Sequence, residues 1–181
     1  MTLTEIANSL ACDKGTTAYE RHGYTQIYEG LIAPSSRMLE IGIDKGLSVT
    51  MWKQWSADLN LIAIDNNAEC ITSSVAAMCD ARMCDQSDVS QLESLAESLG
   101  PESLDVIIDD GSHRPDDQLL TLETLWKCLR SGGRYFVEDL HTSNWFPMET
   151  RAPNRLKQFA GRNAAVMHFA CQNKLACLVK P

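Results

Sequence analysis

The 181-residue sequence predicts an α/β fold, a doubly wound and mostly parallel sheet with helices on both faces and a closing antiparallel hairpin. Two observations lead there. Short β-rich apolar runs alternate with amphipathic segments through the middle of the chain, which is the mark of strands joined by crossover helices. The last two apolar runs are separated only by "CQNK", too short a link for a crossover, so they pair as a hairpin.

Taken in order, "TLTEIANSLA" and "YTQIYEGLIA" read as two helices joined by the polar "CDKGTTAYERHG". They make residues 1–35 a helical cap on a core of residues 36–181, both within one domain. The strands that follow are "RMLEIGI", "NLIAID", "ARMCD", "LDVIID" and "RYFVED". Between them "GLSVTMWKQWSA", "NAECITSSVAAM", "DVSQLESLAESLG" and "PDDQLLTLETLWKCL" read as helices. In the last of these Leu119, Leu122, Leu125, Trp126 and Leu129 keep helical spacing, and "SGG" is expected to end it. "AAVMHFA" and "LACLVK" then form the hairpin. A chain of this size hides roughly two thirds of its unfolded surface, enough for one sizeable core.

The net charge of -8 and the scatter of the basic residues argue against nucleic acid as a partner. No run approaches the length that spans a bilayer, and "MTLTEIANSLACDKG" has no basic leader, so neither membrane nor export is expected. Seven cysteines without zinc-ligand spacing read as reduced thiols of a cytoplasmic protein.

"LEIGIDKGLS" sets Glu40, Gly42 and Gly46 where a buried strand turns into a helix. Glycines let backbone approach a ligand, and the helix start offers free amide donors. The pyrophosphate fingerprint G-x-G-x-x-G is interrupted, because position 44 is Asp. Asp65, at the end of "NLIAID", suits the two ribose hydroxyls of a nucleoside, and Asp85 in "CDQSD" suits an adenine amino group. A nucleoside pocket without a phosphate site favours S-adenosylmethionine over NAD.

"IIDDGSHRPDDQ" ends an apolar run in Asp109 and Asp110, and "FVEDLHTSNW" ends the next in Glu138 and Asp139. One right-handed crossover makes such strands neighbours about 4.8 Å apart. Four carboxylates crowded at one edge are unfavourable unless a cation binds them. All-oxygen donors call for a hard ion, Mg²⁺ first, with Mn²⁺ or Ca²⁺ as alternatives. His113 stands one turn beyond the cluster and suits a general base; His141 is a second candidate, and His168 reads as a strand residue. Asp116 and Asp117 read as the favourable acidic start of a helix.

These pieces, with "DKGTTAYERHGYTQIYE" and "MHFACQNKLACLVK", resemble the metal-dependent, macrocin O-methyltransferase-like sugar O-methyltransferases of natural-product biosynthesis. That group belongs to the S-adenosylmethionine-dependent Rossmann-like methyltransferases. The resemblance runs from about Asp13 to Lys180 and implies that Asp110, Glu138 and Asp139 hold Mg²⁺ or Mn²⁺. It implies His113 as the base, Glu40, Gly42, Asp65 and Asp85 lining the S-adenosylmethionine site, and Asp109 as a neighbour of either site. Lys14, His22, Tyr24 and Tyr28 fall on matching positions, where they close over cofactor or substrate or simply pack as a helix face. The link "NWFPMETRAPNRLKQFAGRN" is shorter than the family's, so a small glycoside, or a lid supplied by another subunit of a homo-oligomer, suits it better than a macrolide. Two rivals stand beside this. An NAD-linked oxidoreductase would want the uninterrupted glycine pattern, and a non-catalytic methyltransferase-like binding protein would not need to keep all four carboxylates and His113.

Overall fold

The computed structural model describes residues 1–18 and 21–181; residues 19 and 20, in the polar link "CDKGTTAYERHG", lie outside them. The strands are β1 (Arg37–Ile41), β2 (Asn60–Asp65), β3 (Asp80–Met83), β4 (Leu104–Asp109), β5 (Leu129–Val137), β6 (Val166–Ala170) and β7 (Leu175–Val179). They form one sheet in the order β3-β2-β1-β4-β5-β7-β6. Strands β1 to β5 pair in parallel, and β7 runs antiparallel to both β5 and β6. The hairpin turn is made by Cys171, Gln172 and Asn173, all with positive φ. The order reverses between β1 and β4, where a doubly wound sheet opens a crevice beyond its strand ends.

The helices are α1 (Leu3–Ser9), α2 (Thr25–Leu31), α3 (Leu47–Trp55), α4 (Ser73–Met78), α5 (Val89–Leu99), α6 (Pro115–Leu125) and α7 (Ala152–Arg162). Alternation along the strands sends residues to two cores. Leu39, Ile41 and Ile107 pack with Leu92 and Leu95 of α5, Leu122 and Leu125 of α6, and Leu156 and Phe159 of α7. Met38, Val106, Ile108 and Phe136 point the other way, against Leu3 and Ile6 of α1, Tyr28 of α2, and Val49 and Trp52 of α3. Local signals fix where helices start. Thr2 and Glu5 form a reciprocal capping box on α1, and Asp88 caps α5 through the amides of Ser90 and Gln91. Pro115 opens α6, with Asp116 and Asp117 in its first turn as expected. No helix among the described residues is long and apolar enough to cross a membrane.

Two elements differ from the sequence expectation. Helix α6 stops at Leu125 and passes through a 3-10 turn, Trp126–Cys128, so "SGG" lies inside β5 and does not end a helix. Gly132 has φ +73 there, and the β4–β5 register shifts between Leu104 and Val106, a bulge that glycine permits. The link before the hairpin contains α7, whose Leu156, Phe159 and Ala160 are buried although the segment is polar overall. Leu122 lies at the centre of the core under α6. Leu122→Ala should therefore lower stability by about 2–5 kcal/mol, read as a lower urea midpoint with an unchanged slope.

Candidate functional site

The turn after β1 and the tip of β4 meet at the reversal point. Gly42 has φ +95, and a Cβ there would collide with the carbonyl oxygen of Asp110. The Asp110 amide donates to Ile41 O at 3.0 Å and the Gly42 amide to Ile64 O at 2.9 Å, so β2, β1 and β4 are laced together at their ends. Gly46 takes a left-handed conformation as the N-cap of α3. Both glycines are thus required by the chain itself, besides any ligand. Above them opens a cavity of about 950 Å³ lined by Lys14, Gly42, Asp65, Asp85, Asp110, His113 and Asp139, among others. That is ample for a nucleoside-sized ligand.

On the donor side, Asp65 Oδ2 accepts from the amides of Ile43 (2.8 Å) and Asp44 (3.2 Å), and Oδ1 accepts from Asn67 N at 2.8 Å. Its carboxylate is held rigidly at the cavity wall. Asp85 Oδ1 accepts from the Ser87 amide at 2.8 Å and its hydroxyl at 2.7 Å.

Asp109 and Asp110, adjacent in sequence, go to opposite sides of the sheet. Asp109 is fully buried under α6, where it accepts from Gln86 Nε2 at 3.2 Å and Tyr135 OH at 3.3 Å, away from the cavity lining. Burial pushes its pKa up to about 7 against the pull of those donors. Gln86 also donates to Thr121 Oγ1 and accepts the Ser112 amide, so this buried amide sets the β4 tip. The sequence carried one signal for it, a polar residue directly after the Asp85 strand tip.

Asp110, by contrast, lines the cavity together with Asp139, and Glu138 lies buried next to them. Lys14, only 1 % exposed, comes in from the N-terminal segment. Its Nζ donates to Asp110 Oδ2 and to Glu138 Oε2 (2.7 Å), and stands 3.8 Å from Glu40 Oε1. Tyr28 OH donates to Glu138 Oε1 at 2.5 Å and Tyr24 OH to Asp139 Oδ1 at 2.6 Å. Glu40, fully buried, also accepts from Trp52 Nε1 at 3.3 Å, while its Oε2 has no hydrogen-bond partner among the described residues. Burial raises the pKa of Glu40 to about 7 against Lys14, and raises Asp110 and Glu138 as well despite the same ammonium. Asp139 is the exception. Burial pushes it up, but the Tyr24 hydroxyl and the imidazoles of His22, His113 and His141 outweigh that and lower it.

His113 Nε2 lies 3.7 Å from Asp139 Oδ2, and His22 Nε2 lies 3.7 Å from Asp139 Oδ1 on the other side. Donor atoms of Asp110, His113 and Asp139 all fall within 4.8 Å of one another. Both His113 (φ 58) and Asp139 (φ 55) are left-handed, a costly conformation for a side-chain-bearing residue. Thr142 Oγ1 donates to the carbonyls of His113 (3.2 Å) and Asp139 (3.0 Å), tying the two strained residues together. Nothing in the one-dimensional pattern marked Thr142 for that role. His141 tilts against His22 at a ring separation of 5.8 Å, and His168 sits exposed on β6, opposite Cys177.

Residues 39–140 match the family described as a methyltransferase domain. The chain belongs to this methyltransferase family. The macrocin-like resemblance is borne out by its curated relatives. The methyltransferase is 34% identical over 152 residues to 8-demethyl-8-alpha-L-rhamnosyl tetracenomycin-C 2'-O-methyltransferase of Streptomyces olivaceus, covering 75% of this chain and 38% of that one. It is 34% identical over 122 residues to demethylmacrocin O-methyltransferase of Streptomyces fradiae, covering 60% of this chain and 28% of that one. It therefore spans well under half the length of these relatives. Among solved structures, MycE methyltransferase of the mycinamycin biosynthetic pathway, in complex with Mg, SAH and mycinamycin VI, superposes with a TM-score of 0.82 at 22% identity. That match covers 99% of this chain and 53% of MycE. An O-methyltransferase from Bacillus cereus, in complex with SAH, gives 0.61 at 15% identity over 99% of this chain and 90% of that one. The expected doubly wound fold is thereby confirmed.

Because Tyr28 supplies the only hydroxyl donor to Glu138 Oε1 among the described residues, Tyr28→Phe should cost about 1–3 kcal/mol in the metal-free chain, measured by urea unfolding in chelator.

Proposed function

We propose that the methyltransferase carries the methyl group of S-adenosylmethionine to a hydroxyl of a sugar or small glycoside, with a bound Mg²⁺ or Mn²⁺. One observation carries this reading: Gly42, Asp65 and Asp85 on one side, and Asp110, His113 and Asp139 on the other, open into the same cavity. The curated relatives, named as sugar O-methyltransferases, and the MycE complex with Mg and SAH support it.

The residues fit a divalent ion. Glu40, Asp110 and Glu138 gather around the single ammonium of Lys14, and Asp139 stands beside Asp110, so carboxylates outnumber the cation that faces them. Asp110, Glu138 and Asp139 would hold the ion, where it would act as a Lewis acid that lowers the pKa of the acceptor hydroxyl. Hard carboxylate oxygens suit Mg²⁺ or Mn²⁺. The donor supplies an electrophilic methyl on sulfur. Asp65 accepts hydrogen bonds from the ribose hydroxyls, Asp85 from the adenine amino group, and Gly42 with Gly46 lets backbone approach the methionine portion, with Glu40 beneath it. His113 Nε2 takes the hydroxyl proton, and Asp139, 3.7 Å away, stabilises the imidazolium that forms. Asp109 acts from the far side of the sheet by fixing the β4 tip through Gln86. The cysteines, none of them disulfide-bonded among the described residues, suit a reducing compartment, and we place the protein in the cytoplasm.

His113→Ala should reduce turnover of a rhamnoside acceptor by roughly 10²- to 10⁴-fold while calorimetry finds S-adenosylmethionine affinity nearly unchanged. Normal turnover in that variant would remove His113 from the reaction. Asp110→Asn should abolish the response to added Mg²⁺, and full turnover of the unmodified chain in excess chelator would end the metal reading.

A further inference from the structure

Lys14 is the one ammonium within ion-pair distance of Glu40, Asp110 and Glu138 among the described residues, and it already holds one oxygen on each of Asp110 and Glu138, two of the three carboxylates that would hold a divalent ion. Glu138 has no face to spare, since Tyr28 holds Oε1 and Lys14 holds Oε2. An ammonium and a divalent cation on the same carboxylates repel each other strongly at contact distance in a buried site. Binding of the ion therefore favours movement of Nζ away from these oxygens. A landing place exists 3.8 Å away. Glu40 is fully buried, and its Oε2 has no hydrogen-bond partner among the described residues.

We propose that Lys14 is the resident counter-ion of the carboxylate cluster and competes with the divalent ion for Asp110 and Glu138, shifting to Glu40 when the ion binds. The inference rests on the metal reading above. It makes Lys14 a positioning residue: it holds the carboxylates assembled when no ion is bound, and it weakens the ion's affinity by the work of its own displacement. Because the Lys14 carbonyl accepts the Thr25 amide at 3.1 Å, and Asp13 and Gly15 carbonyls accept the amides of His22 and Gly23 at 2.8 Å, the shift is felt by the whole segment that walls the cavity.

The test is Mn²⁺ binding to the purified chain, followed by electron paramagnetic resonance of the free ion, in the unmodified protein, K14M, E40Q and the double variant. K14M should bind Mn²⁺ on the order of tenfold more tightly, while its melting temperature in chelator falls by about 5–10 °C. E40Q, which removes the landing place, should weaken binding in the presence of Lys14 and have a much smaller effect in the K14M background, a non-additive cycle. If K14M does not fold, K14Q keeps a donor for Glu138 without the charge and carries the same expectation. Binding in the variants but not in the unmodified chain would support the proposal in its strongest form. Equal or weaker Mn²⁺ binding by K14M or K14Q, with measurable binding in the unmodified chain, would overturn the competition alone. Absence of binding in all of them would overturn it together with the metal reading.

Discussion

Glu40, Asp110, Glu138 and Asp139 reach the same side of three parallel strands at or near their ends, and so much like charge cannot be withdrawn from water without compensation. Strand tips can supply only backbone amides for this purpose, and here most of those are spent on the neighbouring strands. The N-terminal segment makes up the deficit. It brings one ammonium from Lys14, which ends on Asp110 and Glu138, and two phenols, Tyr24 ending on Asp139 and Tyr28 on the other oxygen of Glu138. Hence α1 and α2 are more than a cover for apolar surface. Their docking on the α3 face is dictated as much by the charge beneath them as by Leu3, Ile6 and Trp52.

The same strands separate two kinds of polar work by simple alternation. Asp109 turns under the sheet, where Gln86, Thr121 and Tyr135 form a closed buried network, and Asp110 turns toward the cavity. The first gives the tip its shape and the second gives it a carboxylate on the cavity wall. Gly42 lets β1 and β4 approach closely enough for the two halves of the cavity to share a wall.

Much of this is legible in one dimension. Apolar runs that end in paired acids, "IIDD" and "FVED", announce both strands and their tips, because a buried run has no local reason to stop in charge. Asp65 and Asp85 are visible for the same reason. What is hidden depends on closure in three dimensions. Thr142 matters through two carbonyls of other residues, and Gln86 through Asp109 and the amide of Ser112. Helix α7 escapes notice because Leu156, Phe159 and Ala160 are outnumbered by arginines, lysine and asparagines in the same link. The "SGG" stretch has the composition of a helix stop, but the positive φ that makes glycine good at ending helices also makes it good at bulging a strand.

The left-handed backbone at His113 and Asp139 bears on how this site can change over time. Asn, Asp and His are the side-chain-bearing residues that tolerate that conformation best, and branched residues tolerate it worst. At both positions the fold, and the chemistry we propose for them, thus select from the same short set of amino acids. A drifting sequence cannot first relax one demand and later restore the other, since nearly every single replacement violates both. Innovation in such a site is channelled away from these two positions, toward the cavity rim.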